Sequence, residues 1–412
     1  MFLKKWVGVD ELPSGWLWVL GLGLFIQVVG GLFIVDGSRQ ATWQYLLLFL
    51  PALLLLVGRH LSTALWRQPS GILLLTLMTW VLLSGLLRGT PELSTSYWPK
   101  VVLLGLLYVY VVAMVARSQG FMLGLLIVAV ATAALFAWLT LYYQFFVLDR
   151  PITYRGIRWR RVTELGWGGF ADLKNAVVAG IYFGIFLVMT VFLFVANRLR
   201  LMWLVLITVS GLGLAGYVFV AFSRGAWFAV LAASLVILVL HPGRKSRVLL
   251  GFGLLGLLVA LWAFWPELQF ETRKGLSGRD QIWMVWFERL PEFWLLGEGA
   301  GSRFLVSIAK LGKFQHAHSL YLQFWFEYGL IGLLLLLGLL AALLWKGWQC
   351  REQPLARLGL ALLVYAMVAM LTDVDAIISR PSEWWTLFWL PVGILLGIPR
   401  QEFSRTAPFK AS

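Results

Sequence analysis

Long apolar runs recur from one end of the chain to the other, separated mostly by short polar gaps. A helix that crosses the hydrocarbon core of a bilayer needs roughly 20 predominantly apolar residues. About twelve runs meet that length and pattern. They centre on 16–35, 42–58, 71–87, 99–116, 121–147, 174–196, 200–221, 226–240, 247–265, 319–345, 355–373 and 383–398. The seventh and eighth are divided only at Ser223–Arg224–Gly225, so they also read as one long broken helix. No polar stretch is long enough for a separate soluble domain. Residues 1–412 therefore read as a single all-α polytopic transmembrane domain. The polar start 1–15, followed by a long apolar run, reads as a retained first span rather than a cleavable signal. No internal repeat is visible.

Two gaps are long. Residues 149–170 form a basic loop. Residues 266–318 form a larger one, in which Ile282, Trp283, Val285, Trp286 and Leu290 recur at helical spacing before Pro291. That spacing predicts a short amphipathic helix lying on the membrane surface. The GEGAGS stretch at 297–302 predicts a flexible turn. It is not a phosphate-binding loop of the strand–helix kind, because no strand precedes it.

Composition agrees with the span pattern: 60% of the 412 residues are hydrophobic and only 13% charged, which no soluble globular domain approaches. Many of the 23 tryptophans sit near run ends, as Trp16, Trp80, Trp98, Trp203, Trp227 and Trp345 do, and so form an interfacial belt. A formal charge of +15 would suggest nucleic acid in a soluble protein. Here much of it lies in short loops beside apolar segments, where orientation and lipid headgroups explain it without nucleic acid. The single Cys350 excludes an intramolecular disulfide and a cysteine-based metal cluster.

Lys and Arg are enriched in cytoplasmic loops. With both termini inside, the cytoplasmic segments hold Lys4 and Lys5; Arg59 and Arg67; Arg117; Arg198 and Arg200; Arg244, Lys245 and Arg247; Lys346, Arg351 and Arg357; and Arg400, Arg405 and Lys410. The outer gaps near Asp36–Arg39, Arg88–Lys100 and Asp373–Ser382 are less basic and carry acids. The two long outer gaps break the rule. One holds Arg150, Arg155, Arg158, Arg160 and Arg161; the other holds Arg273, Lys274, Arg279, Arg289, Arg303, Lys310 and Lys313. The simplest reason to keep basic clusters on that side is an anionic substrate.

Several residues could carry chemistry. Arg224, in AFSRGAWFA, is either snorkelling at a helix end or binding an anion. Gly225 allows close approach, and Ser223 can cap the following helix, whose N-terminus favours negative charge. Arg279 either pairs with Asp280 at the surface or presents a guanidinium that binds phosphate through two parallel hydrogen bonds. Ser277 or Asp280 can cap the helix that follows it. Two of only four histidines, His316 and His318, stand where the outer loop enters the tenth run; the others are His60 and His241. A metal pair is one reading, but positions i and i+2 do not share a helix face and no partner motif is present. A wet interfacial histidine is another. The preferred reading is a general base or acid, because imidazole titrates near neutral pH. The cluster Arg150–Arg161 reads as a solvated or headgroup-bound charge run, with its side of the membrane favouring a substrate role.

At these residues the sequence resembles the O-antigen ligase and polymerase family of bacterial inner membranes. The resemblance is carried by SRG after the seventh run, GRDQIW in the long loop, and HSLYLQFWFEYGLIG opening the tenth run. It covers roughly residues 170–350 by motif and the whole chain by span count. It implies a helical fold similar to the GT-C glycosyltransferases that use lipid-linked sugars. It implies transfer of finished O-antigen polysaccharide from undecaprenyl pyrophosphate to lipid A-core on the periplasmic face, with no cofactor and no metal. By motif, the family's essential arginines and histidine correspond to Arg224, Arg279 and His318; His316 is a departure that could assist substrate binding. The polymerase and a protein oligosaccharyltransferase remain alternatives within the family, although no large soluble domain of the protein-glycosylating kind is present. A transporter or flippase of anionic lipids is the alternative from another class. It would place ionisable residues near span centres, and few are there.

Overall fold

A computed structural model describes residues 12–57, 63–196, 200–273, 275, 278–308, 312–372 and 374–399. Lys4, Lys5, Arg59, His60, Arg198, Lys274, Ser277, Lys310, Asp373, Arg400, Arg405 and Lys410 lie outside the described residues. All twelve apolar runs are helical. Nine helices among the described residues are long and apolar enough to cross a membrane: α1 Ser14–Leu32, α2 Gly37–Val57, α3 Pro69–Arg88, α4 Tyr97–Arg117, α5 Gln119–Val147, α6 Ala176–Ala196, α7 Leu201–Val220, α9 Arg244–Ala263 and α10 Leu320–Gln349. Three shorter apolar helices complete the set: α8 Arg224–Leu240, α11 Pro354–Ala369 and α12 Trp385–Gly397. The protein is therefore an all-α polytopic membrane protein. Helices dominate because lipid offers no partner for backbone N–H and C=O groups, so each span satisfies them internally.

The α7–α8 pair is a true helical hairpin and not one broken helix. Phe222, at φ +50, turns the chain, and the Ser223 hydroxyl accepts from the Ala226 amide to cap α8. The core centres on α4 and α6, which are mostly buried. Helix α8 packs on α6 and α11, α7 on α6 and α5, α12 on α4, and α10 on α3. Helix α9 is the outlier: nearly all its side chains, including Phe252, Leu258 and Trp262, are exposed, so they face lipid.

Loops after odd-numbered helices meet at one end of the bundle. Ala171 donates to the Leu32 carbonyl, Thr90 to that of Ala300, and Arg161 to those of Ala221 and Phe222. Arg279 donates to the Thr372 carbonyl, and the Arg380 guanidinium lies 5.8 Å from the Tyr97 ring centre. Loops after even-numbered helices meet at the other end, through Gln68 to Leu396, Gln119 to Gln353 and Lys245 to Phe194. The two long basic loops thus share one face.

The larger loop has a small core of its own. The predicted helix forms over Arg279–Glu288. Its Ile282 and Trp286 are buried against Phe293, Phe304 and Phe326, with Trp286 and Trp325 rings 5.3 Å apart. The apolar stripe therefore faces protein rather than lipid, and Met284 and Phe287 are left to point outward. Gly278, at φ +85, occupies the cap position and Asp280 sits in the first turn instead of capping it, while Ser277, the other expected cap, lies outside the described residues. A short antiparallel hairpin, β1 Val306–Ile308 and β2 Gly312–Phe314, was not expected from the pattern.

The GEGAGS segment is not a flexible turn. Glu298 and Gly299 amides donate to the Phe326 and Glu327 carbonyls, and the Gly301 amide donates to the Glu327 carboxylate. Gly299, at φ +117, lies so close to the Arg88 carbonyl that any side chain would collide with it. Gly329, at φ +68, kinks α10 against the Leu295 carbonyl and lets this segment dock there.

Candidate functional site

The capped start of α8 places Arg224 at the basic face, where its guanidinium reaches toward the Gly275 carbonyl at 3.5 Å. The helix Arg279–Glu288 begins opposite and brings Arg279 to the same place. Arg224 and Arg279 line one cavity of about 380 Å³, together with Arg158, Arg161, Ser223, Gly225, Glu271, Trp283 and Thr372. Two residues 55 positions apart in the chain thus share one cleft, as a binding site for an extended anion requires. Arg279 is oriented by its Nε bond to the Thr372 carbonyl at 3.2 Å.

The basic loop divides. Arg158 and Arg161 line the cleft; Arg150, Arg155 and Arg160 do not. Arg161 donates from Nε to Ala221 at 3.0 Å and from a terminal nitrogen to Phe222 at 2.9 Å, so it fastens the α7–α8 turn. Arg158 pairs with Glu271 at 2.9 Å, and its guanidinium stacks 5.2 Å from the Phe222 ring centre. Arg155 and Arg160 are exposed.

His318 stands beside the cleft. Its backbone has φ +52, a left-handed conformation that costs energy for a residue with a side chain. Neighbours hold that geometry. The preceding Ala317 carbonyl accepts from Trp283, the Ala317 amide donates to Gln323, and the Leu320 amide donates to Met370. The His316 and His318 ring centres are 4.0 Å apart, and His316 Nδ1 accepts from the His318 amide at 3.2 Å. Partial burial, then the neighbouring His316 and Arg279, lower the His318 pKa to about 4. The imidazole is therefore neutral near pH 7 and able to accept a proton. His316 lines a second cavity, which shares no lining residue with the arginine cleft. Among the described residues, no group of three or more His, Cys, Asp and Glu side chains could hold a metal ion.

Sequence reasoning did not single out Glu271, Tyr154, Glu327 or Gln323. The signal for Glu271 was an acid inside a basic loop. For the other pair it was the i, i+4 spacing of Gln323 and Glu327 inside the quoted histidine motif.

Among the described residues, twelve apolar helices form a bundle with an arginine cleft and a neutral histidine at one end, which defines a multi-pass membrane protein. The O-Antigen ligase family model matches residues 209–337, the span that holds Arg224, Arg279 and His318. The chain is also 27% identical over 386 residues to an O-antigen ligase of Pseudomonas aeruginosa (strain PAO1), covering 93% of this chain and 92% of the relative. The chain thus resembles the O-antigen ligase family over residues 209–337, and resembles one O-antigen ligase over nearly its whole length.

Proposed function

We propose that this protein is an O-antigen ligase. It transfers polysaccharide from undecaprenyl pyrophosphate to a sugar hydroxyl of lipid A-core, at the periplasmic face of the bacterial inner membrane, with both termini cytoplasmic. The observation that carries this reading is the convergence of Arg224 and Arg279 on one cleft, whose Trp283 bonds the residue before His318 and whose Arg279 charge reaches that histidine.

The donor's pyrophosphate occupies the cleft, held by Arg224 and Arg279 with Arg158 and Arg161 at its wall. His318 removes the proton from the acceptor hydroxyl. The freed oxygen attacks the anomeric carbon from the face opposite the pyrophosphate, and a new glycosidic bond forms with inversion. The sugar–phosphate bond breaks, and its electron pair leaves on the pyrophosphate, where the arginines stabilise it. One preorganised contact to developing charge is worth roughly 3–4 kcal/mol in such a site. A positioned base adds on the order of 10²–10⁴-fold. The pyrophosphate also strengthens that base: its charge offsets Arg279, which otherwise helps keep His318 neutral. Both substrates carry lipid tails, and the exposed α9 leads into the helix Trp265–Arg273, which carries Glu271 to the cleft.

Purified protein given lipid-linked glycan and lipid A-core without ATP tests this reading. Transfer to lipid A-core supports it. Extension of the glycan on its own lipid carrier would instead identify a polymerase, and ligase-null cells would then fail to regain long-chain lipopolysaccharide.

A further inference from the structure

A second cavity, of about 360 Å³, opens beside His316. Its chemistry is the reverse of the arginine cleft's. Glu327 and Asp375 supply carboxylates, Gln315 and Gln323 amides, and Tyr97 a half-buried ring. Arg303 also lines it, but is paired with Glu92 at 3.1 Å. We infer that this cavity receives an uncharged, polyhydroxylated sugar unit, the acceptor of the transfer proposed above, on which reading this inference rests.

The cavity floor is built in advance. Glu327 accepts from Gln323 Nε2 at 2.8 Å on one oxygen and from the Gly301 amide at 2.9 Å on the other. Gln323 also donates to the Ser302 carbonyl and accepts from the Ala317 amide, the residue next to His318. Glu327 also bonds the Tyr328 side chain and still has lone pairs left on its two oxygens, and Asp375 is exposed. Sugar hydroxyls are donors that match such oxygens, and an aromatic ring takes the apolar face of a sugar. A phosphate would meet two carboxylates here, whereas the arginine cleft offers it four guanidinium groups.

Position adds to chemistry. His316 lines this cavity, and its ring centre is 4.0 Å from that of His318, which in turn feels Arg279 of the other cleft. A sugar in one cavity and a pyrophosphate in the other therefore both lie close to the histidine pair.

The test uses full-length protein, lipid-linked glycan as donor, and deacylated core oligosaccharide as both acceptor and binding probe. Gln315 and Asp375 are exposed, so the Gln315→Ala/Asp375→Ala double variant folds. Its acceptor KM rises about tenfold or more, with donor KM within about twofold, because, apart from the bond Gln315 accepts from Arg303 at 3.4 Å, the lost contacts are hydrogen bonds to the acceptor. Calorimetric binding of the oligosaccharide falls in parallel and is retained in Arg224→Ala. An unchanged acceptor KM, or a rise in donor KM instead, overturns the inference while wild-type transfer leaves the ligase reading intact. Oligosaccharide binding that depends on Gln315 and Asp375, in a protein that transfers nothing, overturns the ligase reading alone. Loss of both binding and transfer in the wild type overturns both.

Discussion

Arg158 donates from Nε to Glu271 Oε1 at 2.9 Å, and the Tyr154 hydroxyl donates to the same oxygen at 2.6 Å. Burial, then this carboxylate, push the Tyr154 pKa up to about 12, so the phenol remains the donor. The bonds tie the short helix Tyr154–Trp159 to the helix Trp265–Arg273, which continues from the lipid-facing α9. They also place a negative charge inside the cleft that we propose holds the pyrophosphate. Glu271→Gln removes that charge and keeps an acceptor for Tyr154. Donor KM should fall about fivefold, equivalent to about 1 kcal/mol for a partly exposed pair. A rise in donor KM would show that Glu271 acts by holding Arg158 in place.

The His318 pKa sets the acid limb of the pH profile. Its folded value, about 4, lies below the ordinary imidazole value, so the neutral form persists as pH falls through 6.5 and is lost only near 4. In kcat/KM, which reports the free enzyme, activity should hold to about pH 5. In kcat, which reports the donor-bound enzyme, bound pyrophosphate raises the same pKa and moves the limb upward. Arg279→Gln should also raise it in the free enzyme. An acid limb at the same pH in both profiles would refute the coupling between arginine cleft and histidine.

The structure divides arginines that sequence alone left as one run. Arg224→Ala and Arg279→Ala should each lower kcat/KM by about 10²–10³, the usual cost of losing one preorganised donor at developing charge. Arg155→Ala/Arg160→Ala should stay within about twofold, because both side chains are exposed and outside the cleft. Arg161→Ala should lower thermal stability, since it frees the Ala221 and Phe222 carbonyls. Transfer rates and melting temperatures of the four proteins check this; equal losses across the set would return the loop to a diffuse charge effect.

The twelve helices were legible because lipid imposes length and apolarity on each span, and a period that long survives in a single sequence. The alternation of the loops was legible from the span count: the loop contacts sort the odd and even gaps onto opposite ends of the bundle. What was not legible depends on pairing between distant loops. The role of Arg158 follows from Glu271, 113 positions away, and the division of the basic cluster follows from where the α7–α8 turn sits. GEGAGS read as a flexible turn because glycine is permissive; here the glycines instead allow close approach to the Arg88 carbonyl and the kinked α10. The loop helix read as membrane-facing because apolar spacing does not say whether lipid or Trp325 covers it.

Gly299→Ala tests that packing. Its φ of +117 is strained for any side chain, and the added methyl meets the Arg88 carbonyl. A loss of about 2 kcal/mol or more is expected, read as a lower melting temperature in detergent. A wild-type melting temperature would restore the flexible turn.

The central claim is that His318 deprotonates the acceptor beside an arginine-held pyrophosphate. Single-turnover transfer by His318→Ala, with donor binding measured on the same preparation, tests it most directly. The account predicts a rate lower by about 10²–10⁴ with donor affinity unchanged. Transfer at the wild-type rate by His318→Ala would contradict it.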